Sequence, residues 1–143
     1  MEAIRVEGEI KDVEKFLKRI ERVEKRSNVL ILPLDETYVY GKDQIRAAVM
    51  HAKRNFIKNK NVARDLKSEI MRYIAGERQI KDAIKKVGIK KGQKDFLTLI
   101  FDGDFNPKEI IERIGVKEKG WMKESREKVD EVLERMALLD VMK

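Results

Sequence analysis

Gly76 divides the segment from Asn61 to Ile89 into two amphipathic stretches, and this division limits the possible folds more sharply than any other feature of the chain. Val62, Leu66, Ile70, Tyr73 and Ile74 recur at three- and four-residue steps, which predicts one buried stripe on a first helix. Ile80, Ala83, Ile84 and Val87 predict a second helix of the same kind. Gly76 and Gly88 follow the two stripes. Glycine enters the left-handed conformation at little cost, so each is expected to end its helix in that way. The joint is then the polar tetrad Gly76-Glu77-Arg78-Gln79. Arg78 and Gln79 fall near the second helix's N-terminus, where free backbone N–H groups favour anions.

The rest of the chain supplies a small sheet and more helices. Ile4, Val6 and Ile10 alternate with charged residues, as in a half-exposed strand with a bend at Gly8. Asp12 is placed to cap a helix whose stripe is Val13, Phe16, Leu17, Ile20 and Val23. Val29-Leu30-Ile31-Leu32 suits a buried central strand that Pro33 ends or confines to a sheet margin, and Tyr38-Val39-Tyr40 suits a second short strand. A helix is expected from Asp43 to about Lys58, with Ile45, Ala48, Val49, Ala52 and Phe56 inward. Phe96 to Phe101 reads as a strand with apolar side chains on both faces. Asn106-Pro107-Lys108-Glu109 opens a further helix that Gly115 stops, and a last helix starts near Ser125. The predicted class is α+β: a small mixed or antiparallel sheet packed by five to six helices, in a single domain spanning residues 1–143.

Composition removes several functions. There is no cysteine, so disulfides and cysteine-ligated zinc are excluded, and the single histidine, His51, leaves no two-histidine metal site. A lone histidine one step off a core stripe reads as a half-buried structural residue rather than a base. No glycine-rich phosphate loop precedes Gly41-Lys42, which argues against an ATPase or kinase. The first ten residues have no hydrophobic core of a signal peptide and no apolar run approaches a membrane span, so a cytoplasmic protein is expected. Charged residues make up 41% of the chain, a bias that fits an archaeal thermophile. Asp102 and Asp104 flank a glycine after a strand; a magnesium site and an ordinary turn both explain them, and a third acidic ligand is missing.

The net charge of +7 is unevenly spread. Residues 42–94 hold 16 Lys and Arg against 5 Asp and Glu, and the remainder holds 17 against 21. That asymmetry favours a polyanion partner for the basic third. At the C-terminus, Leu138, Leu139, Val141 and Met142 follow a helical stripe of Val129, Val132, Leu133 and Met136. Two readings fit: the end completes the core, or it stays exposed as an apolar surface for a partner protein.

The run Tyr73-Ile74-Ala75-Gly76-Glu77-Arg78-Gln79-Ile80, with Ala83-Ile84 and Gly88-Ile89, resembles the small Cgi-type subunit of the KEOPS complex, the PRPK-binding protein of animals. Gly41 with Ile45, Ala48 and Ala52 fits the same pattern, so the resemblance covers roughly Gly41 to Ile89. It implies a non-catalytic accessory subunit with no cofactor or metal of its own. Such a subunit binds a small atypical kinase and helps present tRNA, through its single-stranded acceptor end, to a complex that installs threonylcarbamoyl on an adenosine beside the anticodon. On that implication Arg64, Arg72, Arg78, Gln79, Lys81 and Lys85 are the candidate RNA contacts, and Leu138, Leu139, Val141 and Met142 the candidate kinase interface. The alternative is a stand-alone basic RNA-binding module with a buried C-terminus and no kinase partner.

Overall fold

The computed structural model describes residues 1–142. The chain divides into two compact units, residues 1–36 with 89–122 and residues 37–88 with 123–143.

The first unit holds the sheet. Strands β1 (Glu2–Glu7), β2 (Leu30–Leu34), β3 (Asp95–Phe101) and β4 (Lys117–Glu118) pair in the order β2-β3-β1-β4, antiparallel throughout. Ile4, Val6, Ile31, Phe96 and Ile100 share one face by the two-residue period of a strand, and cluster there with Ile20 and Val23 of helix α1 (Val13–Ser27) and Ile110 and Ile114 of helix α5 (Pro107–Ile114). The edge of Phe16 meets the ring of Phe96 at 5.5 Å between centroids. Both helices begin where the sequence indicates, and α5 also ends there. Asp12 accepts from the Lys15 N–H at 3.0 Å, Asn106 from the Lys108 N–H at 3.1 Å, and Gly115 takes a left-handed φ of 80° after α5.

The second unit is helical: α2 (Lys42–Ile57), α3 (Leu66–Ala75), α4 (Ile80–Val87) and α6 (Arg126–Val141). Helix α3 touches each of the other three, so its whole surface from Glu69 to Ala75 is buried.

Several expectations are corrected. The run at Val29 to Leu32 is not in a central strand: β2 is an edge, bonded only to β3, and it includes Pro33, which has no N–H to give on its outer side. Tyr38-Val39-Tyr40 is not a strand. Residues Glu36–Tyr38 form a 3-10 turn, and the backbone groups a strand partner would take are taken otherwise. The buried amide of Gln44 donates to the Tyr38 carbonyl at 2.9 Å and accepts from the Tyr40 N–H at 2.8 Å, while the Tyr40 carbonyl accepts from the Ser125 N–H at 3.0 Å. Leu17, Val62 and Ile84, assigned to buried stripes, are exposed; Val62 precedes α3, whose cap is Asp65. Gly88 follows α4 but is extended, with φ −70°. Glycine is needed there for space, since a Cβ would lie 2.5 Å from the Ile84 carbonyl oxygen.

Candidate functional site

The joint between α3 and α4 is built by the first glycine. Gly76 has φ 67°, and the N–H groups of Gly76 and Glu77 fold back to the carbonyls of Tyr73 and Arg72 at 3.2 and 3.0 Å, closing α3. The Ile74 carbonyl accepts from the Gln44 amide at 3.1 Å, and the next two carbonyls are met by cations. Lys86 of α4 donates to the Ala75 carbonyl at 3.1 Å, and Arg135 of α6 donates to the Gly76 carbonyl at 3.1 Å. The joint is therefore tied to both neighbouring helices, and Arg78 and Gln79 are carried on a fixed turn. Gln79 is the residue before α4, in extended conformation.

Beneath the joint lies a polar network that no periodicity announces. Glu69 is 0% exposed and Arg72 is 2% exposed, and the two form an ion pair at 2.8 Å. The Glu69 carboxylate also accepts from the N–H groups of Val62 and Ala63 at 3.1 to 3.3 Å, and from the Asn55 amide at 3.2 Å. Arg72 turns its Nε to the Arg78 carbonyl at 2.8 Å. A buried carboxylate is tolerable only when its oxygens are bonded and its charge is matched, and both conditions hold here.

A second cluster fixes the end of α6. Asp140 accepts from the Tyr73 hydroxyl and lies 2.6 Å from His51 Nδ1, while the His51 and Tyr73 rings stack at 4.9 Å. Burial, with Asp140 beside it, holds the Tyr73 phenol well above its ordinary range. His51 is thus half-buried and structural, as its isolation in the sequence implies, but its partner lies 89 residues away.

The candidate residues separate by environment. Arg72 is interior: its guanidinium pairs with Glu69 and bonds the Arg78 carbonyl, so it holds Arg78 in place. Leu139 is buried with Val129 and Met136 on the inner face of α6. Arg64, Arg78, Gln79, Lys81 and Lys85 are exposed. The cationic side chains of Arg64, Arg78, Lys81 and Lys85 have no hydrogen-bond or ion-pair partner among the described residues. Leu138 is 58% exposed, Val141 81% and Met142 47%.

Two of these groups meet. A depression of about 390 Å³ is lined by Gly76, Arg78, Gln79, Arg135, Leu138 and Met142, among others. A smaller one of about 270 Å³ shares Arg78, Gln79, Leu139 and Met142 with it and extends to Val62 and Arg72. Arg78 and Gln79 from the joint and Leu138 and Met142 from the end of α6 form one groove, whereas Arg64, Lys81, Lys85 and Val141 stand outside its lining. Glu77 and Asp82 add carboxylates to it. Asp102 and Asp104 are exposed in the bend after β3, and no group of three acidic or histidine residues able to hold a metal occurs among the described residues. No helix among those residues is long and apolar enough to cross a membrane.

Comparison with known proteins covers both units. Residues 9–139 match the family model described as kinase binding protein CGI-121. The KEOPS complex subunit Cgi121 of Pyrococcus abyssi is 30% identical over 104 residues, which is 70% of this chain and 59% of that relative. The EKC/KEOPS complex subunit CGI121 of Coccidioides immitis is 29% identical over 66 residues, 46% of this chain and 32% of the relative. The matched segments thus span less than two thirds of either curated relative. With the family model matching from the first helix to the last, the chain belongs to the CGI-121 family of kinase-binding proteins.

Proposed function

We propose that this protein is a non-catalytic accessory subunit of a KEOPS complex, binding the atypical kinase subunit and recruiting tRNA by its acceptor end for threonylcarbamoyladenosine (t6A) synthesis in the cytoplasm. The observation that carries the reading is the end of α6. Leu138, Val141 and Met142 are exposed on one helical end, while the inner stripe is already filled by Val129, Met136 and Leu139. A cluster of this kind next to an unpaired Arg78 favours contact with another macromolecule over core completion. Family membership gives the kinase as the partner, and the relatives' names give the complex. The two compact units are matched by one family model, which supports their acting as a single domain.

For tRNA the support is chemical. Arg64, Arg78, Lys81 and Lys85 offer unpaired positive charge, and Gln79 offers an amide at the start of α4. An unpaired nucleic-acid end is held by phosphate contacts and by stacking on planar groups, and the Arg78 guanidinium is such a plane beside a groove. The high proportion of charged residues supports an archaeal thermophile as the source.

The test pairs folding with association. Leu138→Glu and Val141→Glu should leave the melting temperature of the isolated protein unchanged, because both side chains are solvated. The same variants should lose co-elution with the kinase subunit, since a carboxylate in a covered apolar interface is desolvated without a counter-charge. A folded variant that still co-elutes rejects this surface. Unchanged tRNA binding by a protein that never associates with the kinase would favour the stand-alone RNA-binding module.

A further inference from the structure

Charge counted along the sequence places the basic excess in residues 42–94, but helix α1 sorts its own charges by face. At 3.6 residues per turn, Lys15, Lys18, Arg19, Arg22 and Arg26 fall within about a third of its circumference. Glu14, Glu21 and Glu24 follow on one side of that arc, and Ile20 and Val23 face the core. The stripe borders two depressions that share Arg19 and Arg22, of about 540 and 390 Å³. The larger is lined by Arg19, Arg22, Val23, Arg26 and, from α5, Arg113. The smaller adds Lys11, Lys15 and Lys18, with Glu9 and Asp12 as its carboxylates.

Two of the four arginines are braced. Arg19 donates to the Ile114 carbonyl at 3.3 Å; Arg113 donates to the Ser27 hydroxyl at 2.9 Å and pairs with Glu109 on its own helix. Arg22 and Arg26 are exposed and have no hydrogen-bond or ion-pair partner among the described residues. Lys15 with Arg19, Lys18 with Arg22, and Arg22 with Arg26 are like charges one turn apart, each mutually repulsive. A bound polyanion removes that repulsion.

We propose that the cleft between α1 and α5 is an anion-binding site that takes the phosphate backbone of RNA, separate from the joint at Gly76. Arginine supplies planar forks that match phosphate oxygens two at a time. Arg19, Arg22 and Arg26 extend over about 10 Å of helix at 1.5 Å per residue, the length of about three stacked nucleotides. An acidic peptide is disfavoured because Val23 is the one apolar residue in the larger lining, leaving no pocket for the aromatic or aliphatic anchor that peptide interfaces depend on. The choice of RNA rests on the function proposed above; the site itself rests on the arginines.

The experiment neutralises Arg22 and Arg26 together, as Arg22→Gln/Arg26→Gln, and measures the affinity of the full chain for unfractionated tRNA between 50 and 200 mM salt. Affinity should fall at least tenfold. The slope of log affinity against log salt should shrink by about 1.8, two phosphate contacts at about 0.9 each. Melting should be unchanged. A control with the same loss of charge, Lys108→Gln/Lys117→Gln, should alter neither quantity. An unchanged slope in the arginine variant, or an equal change in the control, overturns the site. If Arg78→Gln/Lys81→Gln weakens tRNA binding while the α1 variant does not, this site falls and the proposed function stands. If the α1 arginines govern binding of poly-glutamate and the wild-type chain does not bind tRNA, an acidic protein is the ligand and both RNA assignments fail.

Discussion

Replacing Arg72 by methionine should destabilise this protein severely, and the size of the loss follows from what the change strands. Glu69 has no exposure to water, and among the described residues its carboxylate is matched by one charge, the Arg72 guanidinium at 2.8 Å. Methionine fills much of the arginine stem's volume, so packing is largely kept and the electrostatic loss is isolated. Breaking a buried pair by removing one partner costs about 3–5 kcal/mol, because the remaining charge is uncompensated. The N–H groups of Val62 and Ala63 and the Asn55 amide still bond Glu69, which places the expected loss near the lower end, about 3 kcal/mol. Loss of the bond from Arg72 Nε to the Arg78 carbonyl adds about 1 kcal/mol. The sum is a large part of the 5–15 kcal/mol that ordinary domains possess. Urea unfolding followed by circular dichroism measures it. The double variant Glu69→Gln/Arg72→Met should recover at least half of the loss, since it removes the stranded charge. A single variant within about 1 kcal/mol of the wild type, or a double variant less stable than the single, would refute the argument. The same reasoning makes Arg72→Glu an unsuitable probe of RNA contact: it would set two carboxylates together in the interior, and any lost affinity would report unfolding.

Gly76→Ala should cost about 1–2 kcal/mol in the same unfolding assay, because the residue holds φ 67° and a Cβ would stand 3.1 Å from Arg135 Nε; a loss under 0.3 kcal/mol would mean the turn relaxes freely, roughly as at a surface site. Tyr73 should remain a neutral phenol well beyond its ordinary value of 10.0, since burial and the neighbouring Asp140 disfavour the phenolate. The folded value is the raised one. Its contribution is therefore complete below pH 10 and declines as pH climbs from 10 towards the folded value, where only the unfolded chain has ionised. Denaturation at pH 9 and pH 11 should show a decline that Tyr73→Phe lessens; identical slopes in the two proteins would contradict the buried phenol.

Much of the architecture was legible from local chemistry. Capping residues and stripes located α1, α5 and α6 because Asp12, Asn106 and Ser125 act on N–H groups two or three residues away, within reach of any local reading. The left-handed turn at Gly76 and the continuous apolar strand at Phe96 to Phe101 are equally local, since glycine is the residue that takes such a φ without strain and a strand buried on both faces carries no polar alternation. The exposure of Leu138 beside a filled stripe is one of the two arrangements that helix period allows, and the packing of α6 selects it.

What the sequence left open depends on partners far along the chain. Tyr38 to Tyr40 has the composition of a strand, but Gln44 and Ser125 claim its backbone groups. Val29 to Leu32 looks central because it is apolar, yet β2 sits at an edge, a matter of strand order that no periodicity encodes. Arg72 and Glu69 appear as ordinary helix charges until α3 is enclosed by α2, α4 and α6, which turns a surface pair into a buried one. The arginine cleft is hidden for the opposite reason: α1 interleaves its six Lys and Arg with three Glu along the sequence, and only the helix, set against α5, gathers cations onto one face. Sequence by itself determined where α1, α5 and α6 start and how Gly76 and Gly115 end α3 and α5, because those choices are made by atoms within one turn of each other. Tertiary structure decided which charges are buried, which are free and which share a groove, because desolvation and Coulomb energy depend on neighbours brought together from as far as 115 residues apart.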